Sequence, residues 1–281
     1  MKEIAIIGVP VETIIHYFCD EFILPHQVYL PGSTNKIREY LIECNKNYNS
    51  VKLVDKGELN LESPKKEVLT DVLKNYRTSL FSEITLDIIK EKKNFVLKQK
   101  ENFDHVVCIG PSHFGALFLY EKKDIVARFD FHGDYEPSYK SNSFTPTHAT
   151  YMNIVKEMGK IKVINYGWGG TYLDNKNKHP GMSVYGKEGK IGDNLHKKAN
   201  YFDVDVDCFE KDFKIARFWK DFEKEKSQCC PTFIPKQLEV MISEAKPKKI
   251  GIWGYNWDYD DYGNGKRFIE NVIFNCLSGQ K

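Results

Sequence analysis

The stretch Arg128-Phe129-Asp130-Phe131-His132-Gly133-Asp134 follows an apolar run, Ile125-Val126-Ala127. That run reads as a buried strand, and two acids and a histidine stand at its end. In extended chain, residues two apart point to the same side. Asp130, His132 and Asp134 therefore project a carboxylate, an imidazole and a second carboxylate into one space. Carboxylates and imidazoles together are a donor set for manganese, iron or zinc. A strand end with solvated polar residues has the same local pattern, so the reading turns on what the rest of the chain supplies.

Working outward, further apolar runs at 4–9, 51–54, 106–109, 161–166, 201–206 and 250–255 read as strands. Pro10, Gly110-Pro111 and Gly167-Trp168-Gly169-Gly170 end three of them, as expected of residues that break a ladder. Helical spacing of apolar residues predicts helices at about 35–43, over most of 64–100, and at 114–120, 151–158, 233–245 and 266–277. The segment after Pro10 reads as a long loop holding His16 and His26. Residues 171–197 read as irregular, with a short strand near 182–185. Strands alternating with helices predict an α/β fold with a mainly parallel sheet, in a single domain over residues 1–281.

The composition is that of an ordinary globular chain: 281 residues, 41% hydrophobic, 28% charged and 14% aromatic, which is ample for a large core. Lysines and arginines number 41 against 39 acids. That near balance, with no basic block interleaved with aromatics, argues against a nucleic-acid partner. No apolar run approaches the roughly 18 residues of a membrane span, and the first residues are broken too soon for a signal peptide. A cytoplasmic protein without a membrane partner is expected. The seven cysteines have no regular spacing and read as reduced thiols.

Two other pieces belong with the opening stretch. His113 lies just past a strand that stops at Gly110, and Asp203-Val204-Asp205-Val206-Asp207 would place three aspartates on one face of a strand. Three like charges so placed repel one another unless a cation or extensive hydrogen bonding neutralises them. In open α/β sheets, ligands collect at the carboxyl ends of strands, and all three pieces sit at such ends. Two imidazoles and four or five carboxylates suit a pair of divalent ions that activate a water between them.

At these residues the sequence resembles the arginase–agmatinase (ureohydrolase) family of binuclear manganese hydrolases. The family's G-G-D-H-S, D-A-H-x-D, S-H-G-T and S-x-D-x-D-x-x-D-P are met by four pieces in order. They are Gly110-Pro111-Ser112-His113-Phe114, Asp130 to Asp134, Thr147-His148-Ala149-Thr150, and Asp203 to Glu210. Ile6-Ile7-Gly8-Val9-Pro10, Pro31-Gly32 with Ile37-Arg38, and Asp55-x-Gly57-Glu58 extend the likeness over nearly the whole chain.

The resemblance implies a three-layer α/β/α architecture and two Mn2+ per chain. By carry-over, Asp130 and Asp205 bridge both ions, His113 and Asp134 complete one, and His132 and Asp207 the other. His148 matches the proton-shuttle histidine, and with Asp134 it is implied as catalytic. The expected substrate is a small molecule with a cleavable C–N bond, and the family's trimers and hexamers imply a homo-oligomer. The register of the third motif stays open: Asp205 with Asp207 matches more flanking residues, and Asp203 with Asp205 is the alternative.

Two departures bear on the substrate. Ser112 stands where the family has an aspartate before its metal histidine. Gly254 stands where guanidine-cleaving members carry a glutamate that binds the guanidinium. Asp258, Asp260 or Asp261 could supply that acid by another path, although the run also reads as a solvated acidic loop. Trp168, Trp253 and Trp257 read either as pocket lining or as core. Other guanidines, amidines and amides therefore come into play, and no substrate-binding residue is assigned. The alternatives are a deacetylase-like amidohydrolase with a single zinc, and a member of the family that binds a ligand or partner without catalysis.

Overall fold

A computed structural model describes residues 1–14, 17–18, 21–22, 26–29, 33–60, 78–130, 134, 151–166, 187–190, 192–209 and 233–279. Its centre is an eight-stranded sheet. The strands are β1 (Lys2–Gly8), β6 (Val51–Glu58), β7 (His105–Ile109), β8 (Ile125–Phe129), β9 (Lys162–Tyr166), β10 (Lys187–Glu188), β11 (Tyr201–Asp205) and β12 (Lys249–Trp253). Between β1 and β6 the chain makes two small antiparallel pairs, β2 (Val11–Ile14) with β5 (His26–Tyr29) and β3 (Tyr17–Phe18) with β4 (Glu21–Phe22). This corrects the long loop expected there: the alternation of Val11-Glu12-Thr13-Ile14 suits a strand, and its partner lies a dozen residues on.

The order across the main sheet is β10-β9-β8-β11-β12-β7-β1-β6, and every neighbouring pair is parallel. Parallel strands covered on both faces must be apolar throughout, and β1, β7, β8, β9, β11 and β12 are buried along most of their length. Alternate residues feed two cores. Ile4, Ile6, Val107, Ile109, Phe129, Val204 and Ile252 face one. There they meet α1 (Asn35–Asn45), α4 (Pro235–Ala245) and α5 (Asn264–Asn271), through Leu41, Leu238, Ile242 and Ile269. Ala5, Ile7, Val106, Cys108 and Val126 face the other, against Val96 of α2 (Thr78–Asn102) and Tyr151, Met152 and Val155 of α3 (Tyr151–Met158). The result is the three-layer α/β/α arrangement.

Of the family-like pieces outside the strand ends, Arg38 and the Asp55–Glu58 segment serve packing at the sheet edge, and Pro31-Gly32 lies outside the described residues. Arg38 on α1 grips both carboxylate oxygens of Asp55 on β6 at 2.5 and 2.6 Å, and the Thr34 hydroxyl donates to Glu58 at 2.6 Å. Cys44, Cys108, Cys208 and Cys276 are all free thiols. No helix among the described residues is long and apolar enough to cross a membrane.

The topology also positions the site. From β7 the chain passes to β8, three strands away, and β11 and β12 fill the gap between them later in sequence. The carboxyl ends of β7, β8, β11 and β12 are thereby brought side by side, with Val204 paired to Phe129 and Asp205 to Trp253.

Candidate metal centre

Each of these strands delivers a polar side chain as it ends. After β7, Gly110-Pro111-Ser112 turns the chain, and the Ser112 hydroxyl accepts from the amide of Phe114 at 3.3 Å. That cap starts a 3₁₀ turn, His113–Phe118, and sets His113 over the sheet edge. Ser112 thus works as a local cap. After β8 come Asp130 and Asp134. Asp134 holds a left-handed backbone, φ 52°, a conformation that aspartate adopts more readily than most residues and that recurs at functional sites. β11 ends at Asp205, whose carboxylate accepts the Asp207 amide at 3.0 Å as the chain enters a second 3₁₀ turn, Val206–Cys208.

His113 is the hub. Its Nδ1 lies 2.8 Å from Asp130 Oδ2, 3.1 Å from Asp205 Oδ2 and 3.4 Å from Asp134 Oδ2. Nδ1 is buried and closes no well-aligned hydrogen bond with any of the three. His113, Asp130 and Asp205 present ligand atoms within 4.8 Å of one another. One imidazole nitrogen facing three carboxylate oxygens is a donor set that fits a borderline-hard divalent ion.

Behind that edge the ring is held from its other nitrogen. Nε2 sits 2.8 Å from the Tyr151 hydroxyl and 3.2 Å from Asp203 Oδ1. Asp203 is fully buried. It accepts from the hydroxyls of Tyr120 (2.7 Å), Tyr201 (3.0 Å) and Tyr151 (3.1 Å) and from Trp253 Nε1 (2.8 Å). A carboxylate behind a ligating histidine fixes its tautomer and orientation.

The expected row of three aspartates on one strand is corrected here. Asp203 and Asp205 lie on β11 but Asp207 lies in the turn, and Asp203 is committed to tyrosine and tryptophan donors. Trp253 is core: a Cβ at Gly115 would fall 2.4 Å from its ring, so that glycine makes room for the indole that reaches Asp203.

Sequence reasoning passed over Arg128. It is buried beside the centre, with Nη2 contacting Asp130 and, at 2.6 Å, Asp134, while its Nε donates to the Tyr151 hydroxyl at 2.9 Å. A signal was present: an arginine inside an apolar strand, two residues before an acid, must bury its charge on the acid's side of the sheet.

The fields of these groups act on one another. Burial lowers the affinity of His113 for a proton, yet Asp203 and Asp130 outweigh it and hold the imidazole well above its ordinary range. Burial and Asp130 push Asp134 up, against the pull of Arg128. Burial and the nearby Asp207 push Asp205 up to about 6. Burial also acts on Asp203, but His113 and Arg128 hold it below the usual carboxylate range. Surplus negative charge is concentrated at the mouth, and Asp203 beneath it stays ionised.

No family model and no curated protein matches the chain. Solved structures do. Proclavaminate amidino hydrolase from Streptomyces clavuligerus superposes with a TM-score of 0.60 at 13% identity, covering 100% of this chain and 93% of its own. Arginase from Bacillus cereus gives 0.59 at 16%, over 100% and 99%, and formimidoylglutamase from Bacillus subtilis gives 0.61 at 12%, over 99% and 87%. The fold is that of the arginases and agmatinases.

Within the arginase fold, the remaining expectations fall out as follows. His132, His148 and Trp168 lie outside the described residues, as do His16 and the strand expected near 182–185. Gly254 borders the centre with φ 72°, and a Cβ there would stand 2.8 Å from Asp205 Oδ1. A side chain at that position would press on the carboxylate, so the wall beside Asp205 is bare. The acids downstream do not replace it. Asp258 is exposed and pairs with Lys36. Asp260 accepts from Tyr255 and from the amides of Gly265 and Lys266, capping α5.

Proposed function

We propose that the chain is a divergent member of the arginase–agmatinase family: a metal-dependent hydrolase that cleaves a C–N bond in a small guanidine, amidine or amide. One observation carries this reading, the buried Nδ1 of His113, without a well-aligned hydrogen bond, facing the carboxylates of Asp130, Asp134 and Asp205 at the carboxyl edge of an arginase-like sheet. The motif order supports the full set of holders: His113 and Asp134 on one side, His132 and Asp207 on the other, with Asp130 and Asp205 between. Because Asp203 already accepts from four donors, Asp205 with Asp207 is the ligand pair in this reading.

Two manganese ions bound there would supply Lewis acidity and a water made nucleophilic at neutral pH. Asp203 and Tyr151 hold the His113 ring, so that Nδ1 points outward whether or not substrate is present. Water adds to the planar carbon, the C–N bond breaks, and the leaving nitrogen takes a proton, a task His148 suits because imidazole titrates near neutrality. The bare wall at Gly254 offers no carboxylate to a guanidinium, which favours amidines and amides over unsubstituted guanidines.

The test is elemental analysis of protein purified without chelator and again after manganese loading, followed by a screen of the three substrate classes for released ammonia, amine or urea. About two manganese ions per chain and turnover of one class are expected. No metal after loading would refute the reading, and one tightly held zinc would move it to a deacetylase-like amidohydrolase.

A further inference from the structure

Resting on the metal reading above, the geometry points to Arg128 as a resident cation of the centre, competing with the divalent ion on the His113 side so that the two ions load unequally. Arg128 and Asp130 stand two residues apart at the end of β8, and the guanidinium reaches the ligand carboxylates themselves. Its Nη2 contacts Oδ2 of Asp130 and Oδ2 of Asp134. These are the same two oxygens that face His113 Nδ1, at 2.8 and 3.4 Å.

Asp203, by contrast, reaches His113 through Nε2, on the far side of the ring. A divalent ion on Nδ1 and the guanidinium therefore crowd onto the same two carboxylate oxygens, and both carry positive charge in a site shielded from water. Guanidinium cannot give up its proton to relieve the conflict. Tyr151 fixes it from behind through Nε, so moving aside also costs a buried hydrogen bond. The position assigned to His132 and Asp207 shares Asp130 but not Asp134, and meets less of this competition.

Arg128 also gives the metal-free protein a reason to fold. Asp130, Asp134 and Asp203 are buried, and the Asp205 side chain is only 14% exposed. Among the described residues, the permanent positive charge on the two mouth carboxylates Asp130 and Asp134 is Arg128. Buried carboxylates without a counter-charge are costly. The arginine satisfies part of that demand before any metal arrives, and weakens one metal position as a result.

The experiment is a manganese titration of the metal-free chain, with free ion followed by its electron paramagnetic resonance signal, on wild type, Arg128→Met and Arg128→Lys. Wild type should bind one ion at least about tenfold more tightly than the second. In R128M the weaker ion should tighten by about tenfold, closing the gap, while R128K keeps the charge and the gap. A second ion that weakens or does not change in R128M would overturn the inference and make Arg128 a strut for the ligands. Two equally tight ions in wild type would overturn it too, with the metal reading intact; no ion in either protein would remove the metal reading itself. Should R128M not fold, Arg128→Gln, which removes the charge but keeps a donor toward Tyr151, carries the same expectation.

Discussion

The parallel sheet holds a buried charge cluster at each end, and the two are built differently. At the amino end, Lys249 opens β12 fully buried. Its ammonium donates to Leu119 O (2.7 Å), Glu121 (2.8 Å) and Asp124 (2.7 Å), using all three protons. Lys100 closes on Glu121 at 2.6 Å, and Asn200 donates to the other oxygen of Asp124 at 2.9 Å. Every group there has its partner. At the carboxyl end, among the described residues, four carboxylates share one guanidinium and one imidazole, and the imidazole's Nδ1 closes no well-aligned hydrogen bond. A closed network resists change, whereas an open one with surplus negative charge draws in a cation. Buried charge alone does not mark a site; its imbalance does.

The comparison can be broken most sharply by exchanging losses. Asp205→Ala should abolish manganese uptake, read by elemental analysis, while moving the urea midpoint of the metal-free protein little, because the lost cap on the Asp207 amide is offset by removal of a surplus acid. Lys249→Met should do the reverse, keeping the metal and lowering the unfolding free energy by about 3 kcal/mol, since it leaves the buried Asp124 without its cation. Equal effects of the two substitutions on both readouts would remove the distinction between the ends.

A smaller effect is expected behind the ligands. Asp203→Asn keeps the shape but turns one of its two acceptor oxygens into a donor, and loses the charge that orients His113. Manganese retention against a chelator should fall by about 10-fold to 100-fold. Unaltered retention would mean that the tyrosine hydroxyls suffice.

The least effect belongs to the closed end. His105 is buried at the start of β7 with Nδ1 2.8 Å from Pro247 O, and burial holds its pKa below the ordinary value. The fold therefore favours the neutral ring. Its contribution is full above the unfolded value near 6.5 and is lost as pH falls through the folded value. Between pH 7 and 5, wild type should lose urea resistance faster than His105→Gln. Parallel pH profiles would show that the ring carries no such linkage.

Much of this was legible residue by residue. The apolar runs of β1, β7, β8, β11 and β12 declare buried parallel strands, and glycine or proline marks several of their ends. Asp130 follows from the period of two of an extended segment; Asp134 does not, because it holds a left-handed backbone beyond the end of β8. Arg128 obeys the same period and was equally open to reading. Asp207 was not: where β11 stops depends on the Asp205 carboxylate capping a turn, which no alternation of residues announces. The antiparallel pairs between Val11 and Tyr29 were missed for want of a turn signal between short strands.

The sequence by itself determined which donor types exist and that they stand at strand ends, because periodicity and apolar runs are local properties of the chain. By resemblance to the arginase–agmatinase motifs, it set Ser112 where an aspartate is expected and Gly254 where a glutamate is. Only the tertiary structure decided which side chains meet. Asp203 reaches His113 across 90 residues, and Trp253 reaches Asp203, because β11 and β12 enter the sheet between β7 and β8. Arg128 meets Asp134 because the chain turns back with a left-handed residue. Those are choices of strand order and backbone turn, made by the burial of the whole sheet and not by any one segment of it.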